Sequence, residues 1–239
     1  MCGILFVIEL VQGKDYPAEL GTPEFEALCG KTGGLLLRML KSIFSTGQYI
    51  VLDLGFCVLK AIVALYRKGL YAGALIKKRQ YWPTLAPGKA MDARFADKAV
   101  GYVDQVTGVM ENMNYKLFGM KEPDYVMKMM VTGGVLETDD SCKMAKRGEG
   151  PTAIHFKYTK PIDWHFQYRH AVDDHNNLRH AVPSIEGTWL TTRWPICVFA
   201  FLIAITEVNM FLVLRFFVWN KEDRMELVNF RRKLSFLGS

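Results

Sequence analysis

Residues 49–76 read YIVLDLGFCVLKAIVALYRKGLYAGALI, and the order of hydrophobic patterns within them sets the fold class. Tyr49–Leu52 is a short apolar run of the length of a buried strand. From Phe56 to Lys68 the large apolar residues recur at helical spacing. Arg67 and Lys68 in the last turn suit the negative end of the helix dipole, and Gly69 supplies a C-cap. Ala72–Ile76 is a second apolar strand, leading into the basic Lys77-Lys78-Arg79. Strand, helix and strand in succession predict an α/β core.

Asp53 closes the first of these strands. An acid there has two explanations: it caps the following helix, since Asp is a favoured N-cap residue, or it is a metal ligand at the carboxyl end of a strand, where α/β sheets place their chemistry. A second acidic stretch, YRHAVDDHNNLR at 168–179, runs on to Trp194 as HAVPSIEGTWLTTRW. A helix is expected to resume near Val172, with Asp173 and Asp174 favoured in its first turn by the dipole. His170 and Asp174, like Asp173 and Asn177, are four apart and share a helical face. Asn176 and Asn177 are poor helix formers. Beside two acids they point to hydrogen bonds with a ligand or with neighbouring backbone. One carboxylate at a strand end and another at a helix start can together collect a divalent cation for phosphoryl transfer.

Competing chemistries fit less well. All five histidines lie between His155 and His180, but a spacing of five turns each by about 140° around a helix. His170, His175 and His180 therefore cannot share a face, and no H-E-x-x-H pattern supports a zinc hydrolase. Gly30-Lys31-Thr32 resembles the end of a phosphate-binding loop, but Phe25 stands where its first glycine belongs. No G-x-S-x-G elbow points to an acyl hydrolase.

The chain has 239 residues, half of them apolar, and a net charge of +6, enough for a sizeable core. The basic excess concentrates between Lys60 and Lys98, which suits a polyanionic partner as well as a merely solvated face. The five scattered cysteines form no C-x-x-C pair and read as reduced intracellular thiols. The first residues, MCGILFVIELVQGKD, lack a basic leader and read as a strand over Ile4–Leu10. Ile196–Trp219 is long and apolar, yet it contains Glu207, Asn209 and Arg215. An acid at a bilayer centre costs roughly 2.5–3.5 kcal/mol, so the segment reads as a core helix and no membrane partner is expected.

Beyond Trp82 the pattern changes. Val100–Val109, Tyr115–Met120 and Tyr125–Thr132 read as strands with turns at Glu111-Asn112 and Glu122-Pro123, and 137–150 as a flexible polar segment. The expected organisation is a core from 1–81 and 161–220, a β-rich insertion at 82–160, and a basic C-terminal tail at 221–239 carrying Arg231-Arg232-Lys233.

Taken together, VLDLGFCVLKAIVAL (51–65), ALIKKRQYWP (74–83), MKEPDYVMK (120–128), YRHAVDDHNNLRHAVPSIEGTWLTTRW (168–194) and LVNFRRKLS (227–235) resemble the piggyBac-type transposases. That resemblance spans nearly the whole chain. It implies an RNase H-like, retroviral-integrase-type DDE core with a β-rich insertion. It also implies three aspartates that hold magnesium or manganese, weakly bound or absent without substrate, for DNA strand cleavage and strand transfer. Asp53 matches the second aspartate and Asp173 the third; Asp174 is the neighbouring metal-ligand candidate, and Asn176 sits where some relatives carry another acid. Leu54 departs from the small or polar residue that many relatives have.

The first aspartate of the family pattern belongs just before Gly3-Ile4, and the chain begins after it. An impaired enzyme is therefore expected, or alternatively a non-catalytic DNA- or chromatin-binding protein. Lys77, Lys78, Arg79, His175, Asn176, Arg179 and Arg193 are the expected DNA contacts. The partners implied are transposon ends and target DNA, with a homodimer compatible, and the location implied is the nucleus.

Overall fold

A computed structural model describes residues 7–8, 23–76, 88–133, 142–147, 153–189 and 191–237. The chain divides into two compact units, one comprising 9–169 and the other 1–8 with 170–239.

The first unit is built on a five-stranded mixed sheet in the order β1-β2-β5-β4-β3. β1 (Tyr49–Leu52) and β2 (Tyr71–Leu75) run parallel, joined by helix α2 (Leu59–Arg67). Their register sets Val51 opposite Gly73. The hydroxyl of Tyr49 lies only 1.8 Å from where a Cβ on Gly73 would stand, so any other residue there would displace the tyrosine. Gly69 adopts φ +69 after α2, and an added Cβ would meet the Ser45 backbone at 3.0 Å. The expected C-cap is therefore a position that glycine alone fills without strain.

Helix α1 (Pro23–Met39) is interrupted at Gly30, whose φ of 74 is non-helical. The helical pattern expected from Lys31 onward is its second half, followed by a single 3-10 turn at Lys41–Ile43. The segment before Gly30 is helical rather than a strand, so the context of a phosphate-binding loop is missing. Leu36 and Leu37 of α1 and Ala61, Ile62 and Leu65 of α2 belong to one buried cluster with Leu52 and Ala74 of the sheet.

β3 (Val103–Met110) and β4 (Met113–Lys121) form a hairpin turned by Glu111 and Asn112, both at positive φ, the backbone that a two-residue hairpin turn requires. β5 (Val126–Thr132) pairs antiparallel with both β4 and β2. β3–β5 fall within the β-rich insertion expected at 82–160 and extend the sheet of β1 and β2, while the division into compact units falls between Arg169 and His170. The expected strands were local signals; their union with β2 rests on long-range pairing such as Gly73 with Val131.

Two further elements differ from expectation. The polar segment at 137–150 contains β6 (Cys142–Arg147), paired antiparallel with β7 (Ile154–Thr159). Helix α4 (Lys160–Tyr168) follows with Pro161 in its first turn, a starting position that proline favours. The strand expected at Ile4–Leu10, the loop at 15–22 and the basic Lys77-Lys78-Arg79 fall largely or wholly outside the described residues.

The second unit is helical: α5 (Ala171–His180), α6 (Ile185–Thr188), α7 (Trp194–Val213), a π-helical turn at Leu214–Val218, and α8 (Leu227–Leu237). Val208, Phe211 and Leu212 of α7 pack with Leu227 and Phe230 of α8, and Leu178 of α5 joins them. The basic tail is thus an ordered helix whose apolar positions belong to a core. Trp194–Val218 spans 25 residues and contains an 18-residue window of mean hydropathy 2.4, long and apolar enough by length and composition to cross a membrane. Only one stripe of α7 is covered, from Ala200 through Ala204, Glu207 and Val208 to Phe211. A helix apolar all round has no periodicity to say how much of it is core.

Candidate functional site

In the first unit Asp53 stands where β1 ends, at φ −66 and ψ 159, just before a 3-10 turn at Leu54–Phe56. Its carbonyl accepts a hydrogen bond from the Phe56 N–H at 2.9 Å. The side chain makes no cap hydrogen bond and is exposed. The capping explanation for this acid is therefore not realised. Cys57, four residues on, is fully buried, and burial pushes its thiol up to about 12, which makes it inert as a metal ligand or nucleophile.

In the second unit Asp173 and Asp174 lie in the first turn of α5, both exposed. The ring Nδ1 of His170 is 3.7 Å from an Asp173 carboxylate oxygen, and the Asp174 N–H bonds the His170 carbonyl at 2.7 Å. The opposite face of the helix is committed to the interior. His175 is buried, and its Nε2 bonds Asn209 Oδ1 of α7 at 3.2 Å. Arg179 is buried too, with Nη1 donating to Glu186, Nη2 at 3.4 Å from Asn176 Oδ1, and the guanidinium 4.8 Å from the Phe201 ring.

Of the expected DNA contacts, His175 and Arg179 thus face inward and serve the packing of α5. Asn176 is half-buried beside Arg179. Arg193 is exposed at the start of α7, its N–H held by Thr191 Oγ1 at 3.2 Å. Lys77, Lys78 and Arg79 lie outside the described residues.

The sequence reading missed an internal bracket around α5. Arg231 of α8 donates through Nε to Glu207 Oε1 at 2.9 Å, through Nη1 to the Ala181 carbonyl, and through Nη2 to the Leu178 carbonyl at 3.3 Å. The Ala181 carbonyl is an acceptor left open at the helix C-terminus, while the Leu178 carbonyl also accepts the Ala181 N–H at 3.2 Å. The signal was Glu207 itself, since an acid inside an apolar helix calls for a cation beside it; in the sequence Arg231 reads only as part of the basic C-terminal tail.

Burial lowers the His175 imidazole below its ordinary value; the Asn209 bond works the other way, and nearby Arg179 lowers it further. The neutral ring donates Nε2–H to Asn209. A proton on Nδ1 would be buried with no acceptor, because that nitrogen has none. The unfolded chain takes up this proton near the ordinary histidine value, so stability contributed by His175 is intact above about pH 6.5 and declines as pH falls below it. Thermal unfolding followed from pH 7 to pH 5 should show the second unit losing stability, and His175→Gln should flatten that dependence.

The exposed carboxylates of Asp53, Asp173 and Asp174 suit an oxygen-preferring cation such as magnesium, which keeps waters and substrate phosphates in its shell and takes few protein ligands. Among the described residues no group of three or more His, Cys, Asp or Glu is placed to hold a metal ion.

Comparison with protein families matches residues 2–211 to the family described as Transposase IS4. A comparison with curated proteins gives no match. Among solved structures, the chain is similar to the piggyBac transposase in its synaptic complex with hairpin DNA, at a TM-score of 0.62 and 14% identity. The similarity covers 85% of this chain and 38% of that one, so the chain spans well under half the length of that transposase. At this identity the likeness is one of fold.

Proposed function

Because this chain belongs to the Transposase IS4 family, we propose that it is a DNA-binding transposase-type domain, RNase H-like in its core, whose Asp53 and Asp173 are the carboxylates of a metal-dependent strand-cleavage site. The observation that carries this reading is the state of Asp53: fixed at a strand end, exposed, and relieved of capping duty. Asp173 is the corresponding carboxylate of α5, with His170 beside it and Asp174 next in sequence as the alternative ligand.

Magnesium or manganese, when bound, supplies charge neutralisation at the scissile phosphate and acidifies an attacking water. The protein's own part is positional. β1 holds Asp53 by sheet pairing with β2, while the Arg231, His175 and Arg179 contacts hold the helix that carries Asp173. Arg193 and the basic run at Lys77-Lys78-Arg79 are proposed to engage the DNA backbone, in the nucleus, with transposon ends as substrate and a homodimer as the acting form.

Cleavage by this chain alone is proposed to be impaired, because the two matched positions supply two of the three aspartates that the resemblance implies. The test is a binding and nicking assay on duplex DNA with this 239-residue chain. Binding should fall steeply as salt rises, the signature of phosphate contacts releasing counterions. Nicking should be slow, should need manganese or magnesium, and should stop with chelator. Efficient nicking would overturn the impairment. Binding with no nicking at all would favour the non-catalytic DNA-binding reading, and absence of binding at low salt would remove both.

A further inference from the structure

Helices α1 and α2 come from a stretch of sequence almost free of acids: none lies between Glu26 and Asp53, and none between Asp53 and Asp92. The same stretch supplies exposed Lys31, Lys41, Lys60 and Lys68, none of them in an ion pair among the described residues. Its acidic neighbours are already engaged, Glu26 by Arg38 at 2.9 Å and Glu111 by Arg67 at 2.7 Å.

Packing sorts the four lysines into two pairs. A Cβ on Gly33 of α1 would stand 3.1 Å from the Ala61 Cβ and 3.7 Å from a Val58 methyl, so the turn of α1 that carries Lys31 lies against the start of α2, where Lys60 is. The Lys60 charge also acts on the thiol of Cys29, two residues before Lys31. At the other end, Lys68 Nζ sits 5.5 Å over the Phe44 ring. There the Ser45 N–H bonds the Lys68 carbonyl at 2.7 Å, and the Phe44 N–H bonds the Lys41 carbonyl at 3.4 Å. From Lys60 to Lys68 the helix rises about 12 Å.

We propose that the α1–α2 layer is a further DNA-binding surface of this chain, on which a duplex lies with Lys31 and Lys60 on one phosphate backbone and Lys41 and Lys68 on the other.

This inference rests on the DNA-binding reading above and adds residues that reading does not use. The rise of about 12 Å between the pairs is the width of the major groove, so each pair meets one of the two backbones that border it. Residues 54–58 lead straight from Asp53 into α2, so the Lys31–Lys60 end of the layer is the end of β1 that carries Asp53. A lipid surface fits less well. α2 buries every residue from Ala61 to Leu65 and has no apolar strip to insert among headgroups.

The test is anisotropy of a fluorescent duplex of about 20 base pairs, titrated with this chain at several salt concentrations. Lys31→Gln with Lys60→Gln removes one pair, and Lys41→Gln with Lys68→Gln the other. Each double variant should bind at least about tenfold more weakly at low salt, on every sequence alike, and should lower the slope of log affinity against log salt by about two. The control is Lys89→Gln, in helix α3 (Gly88–Arg94), with Lys221→Gln, both exposed; it removes the same charge and should leave the slope unchanged. All three should keep the parent's circular dichroism. Unchanged slopes in the two pair variants, or an equal loss in the control, would overturn the proposal while leaving the DNA-binding reading in place. An effect from one pair alone would overturn the bridging of two backbones. Absence of duplex binding by the parent chain would remove this surface together with that reading. Binding to anionic vesicles that duplex DNA does not compete, lost in the same variants, would assign the lysines to a lipid surface and overturn it as well.

Discussion

Replacing Arg231 with methionine is expected to destabilise the helical unit by about 3–5 kcal/mol, the cost of leaving one member of a buried ion pair alone. Arg231 is 7% exposed and Glu207 9%, so water cannot take over the lost charge. The same substitution strips donors from the carbonyls of Leu178 and Ala181, loosening the end of α5 as well as the α7–α8 contact. Amide exchange in 171–237 should accelerate together, because one side chain joins three helices. Removing both charges, as Glu207→Leu with Arg231→Met, should recover most of the loss, since a buried pair replaced by apolar groups of similar volume is often neutral. A single variant within about 1 kcal/mol of the parent would show the pair behaving like a surface contact.

That bracket marks the boundary of what could be read from the sequence. β1, α2 and β2 were legible because each is a local hydrophobic period bounded by a charge or a glycine. Glu111-Asn112 was legible as a turn for the same reason. The pairing of β5 with β2 was not, since nothing local in 126–132 says which strand it will meet. β6 was hidden by composition: three of its six residues are Lys or Arg, and a basic run reads as solvated until a partner strand is known. α4 carried its own starting signal, Pro161 after Thr159, ahead of the point near Val172 where the helices were expected to resume. In α7 uniform apolarity carries no phase, and only the packing of α5, α6 and α8 decides which stripe is covered.

The candidate site divides along the same line. Asp53 and Asp173 were found by position, at a strand end and in a first helical turn, and the structure leaves both exposed. His175 and Arg179 were chosen by chemical type as DNA contacts, yet they lie four apart on the inward face of α5. Residue type cannot distinguish a cation offered to phosphate from one offered to a half-buried glutamate such as Glu186. Helical phase distinguishes them once the covered face is known.

The second large effect concerns the carboxylates. Asp53→Asn is expected to lower metal-dependent nicking by on the order of 10³-fold, as the removal of several kcal/mol of transition-state stabilisation requires. Folding and DNA affinity should be preserved. No cap bond is lost, since the Asp53 side chain makes none, and an exposed substitution of this kind usually stays within about 0.5 kcal/mol. Asp173→Asn should match it in activity. Asp174→Asn should cost far less, because the resemblance aligns Asp173 with the metal-binding position. The three variants are to be compared by nicking rate in manganese, by manganese affinity from electron paramagnetic resonance, and by thermal midpoint. Should Asp174→Asn prove the damaging one, the ligand is its neighbour and the helix presents a different edge to the cation. Should Asp53→Asn retain full nicking, Asp53 is not a metal ligand, and its exposed carboxylate at the end of β1 has no part in cleavage.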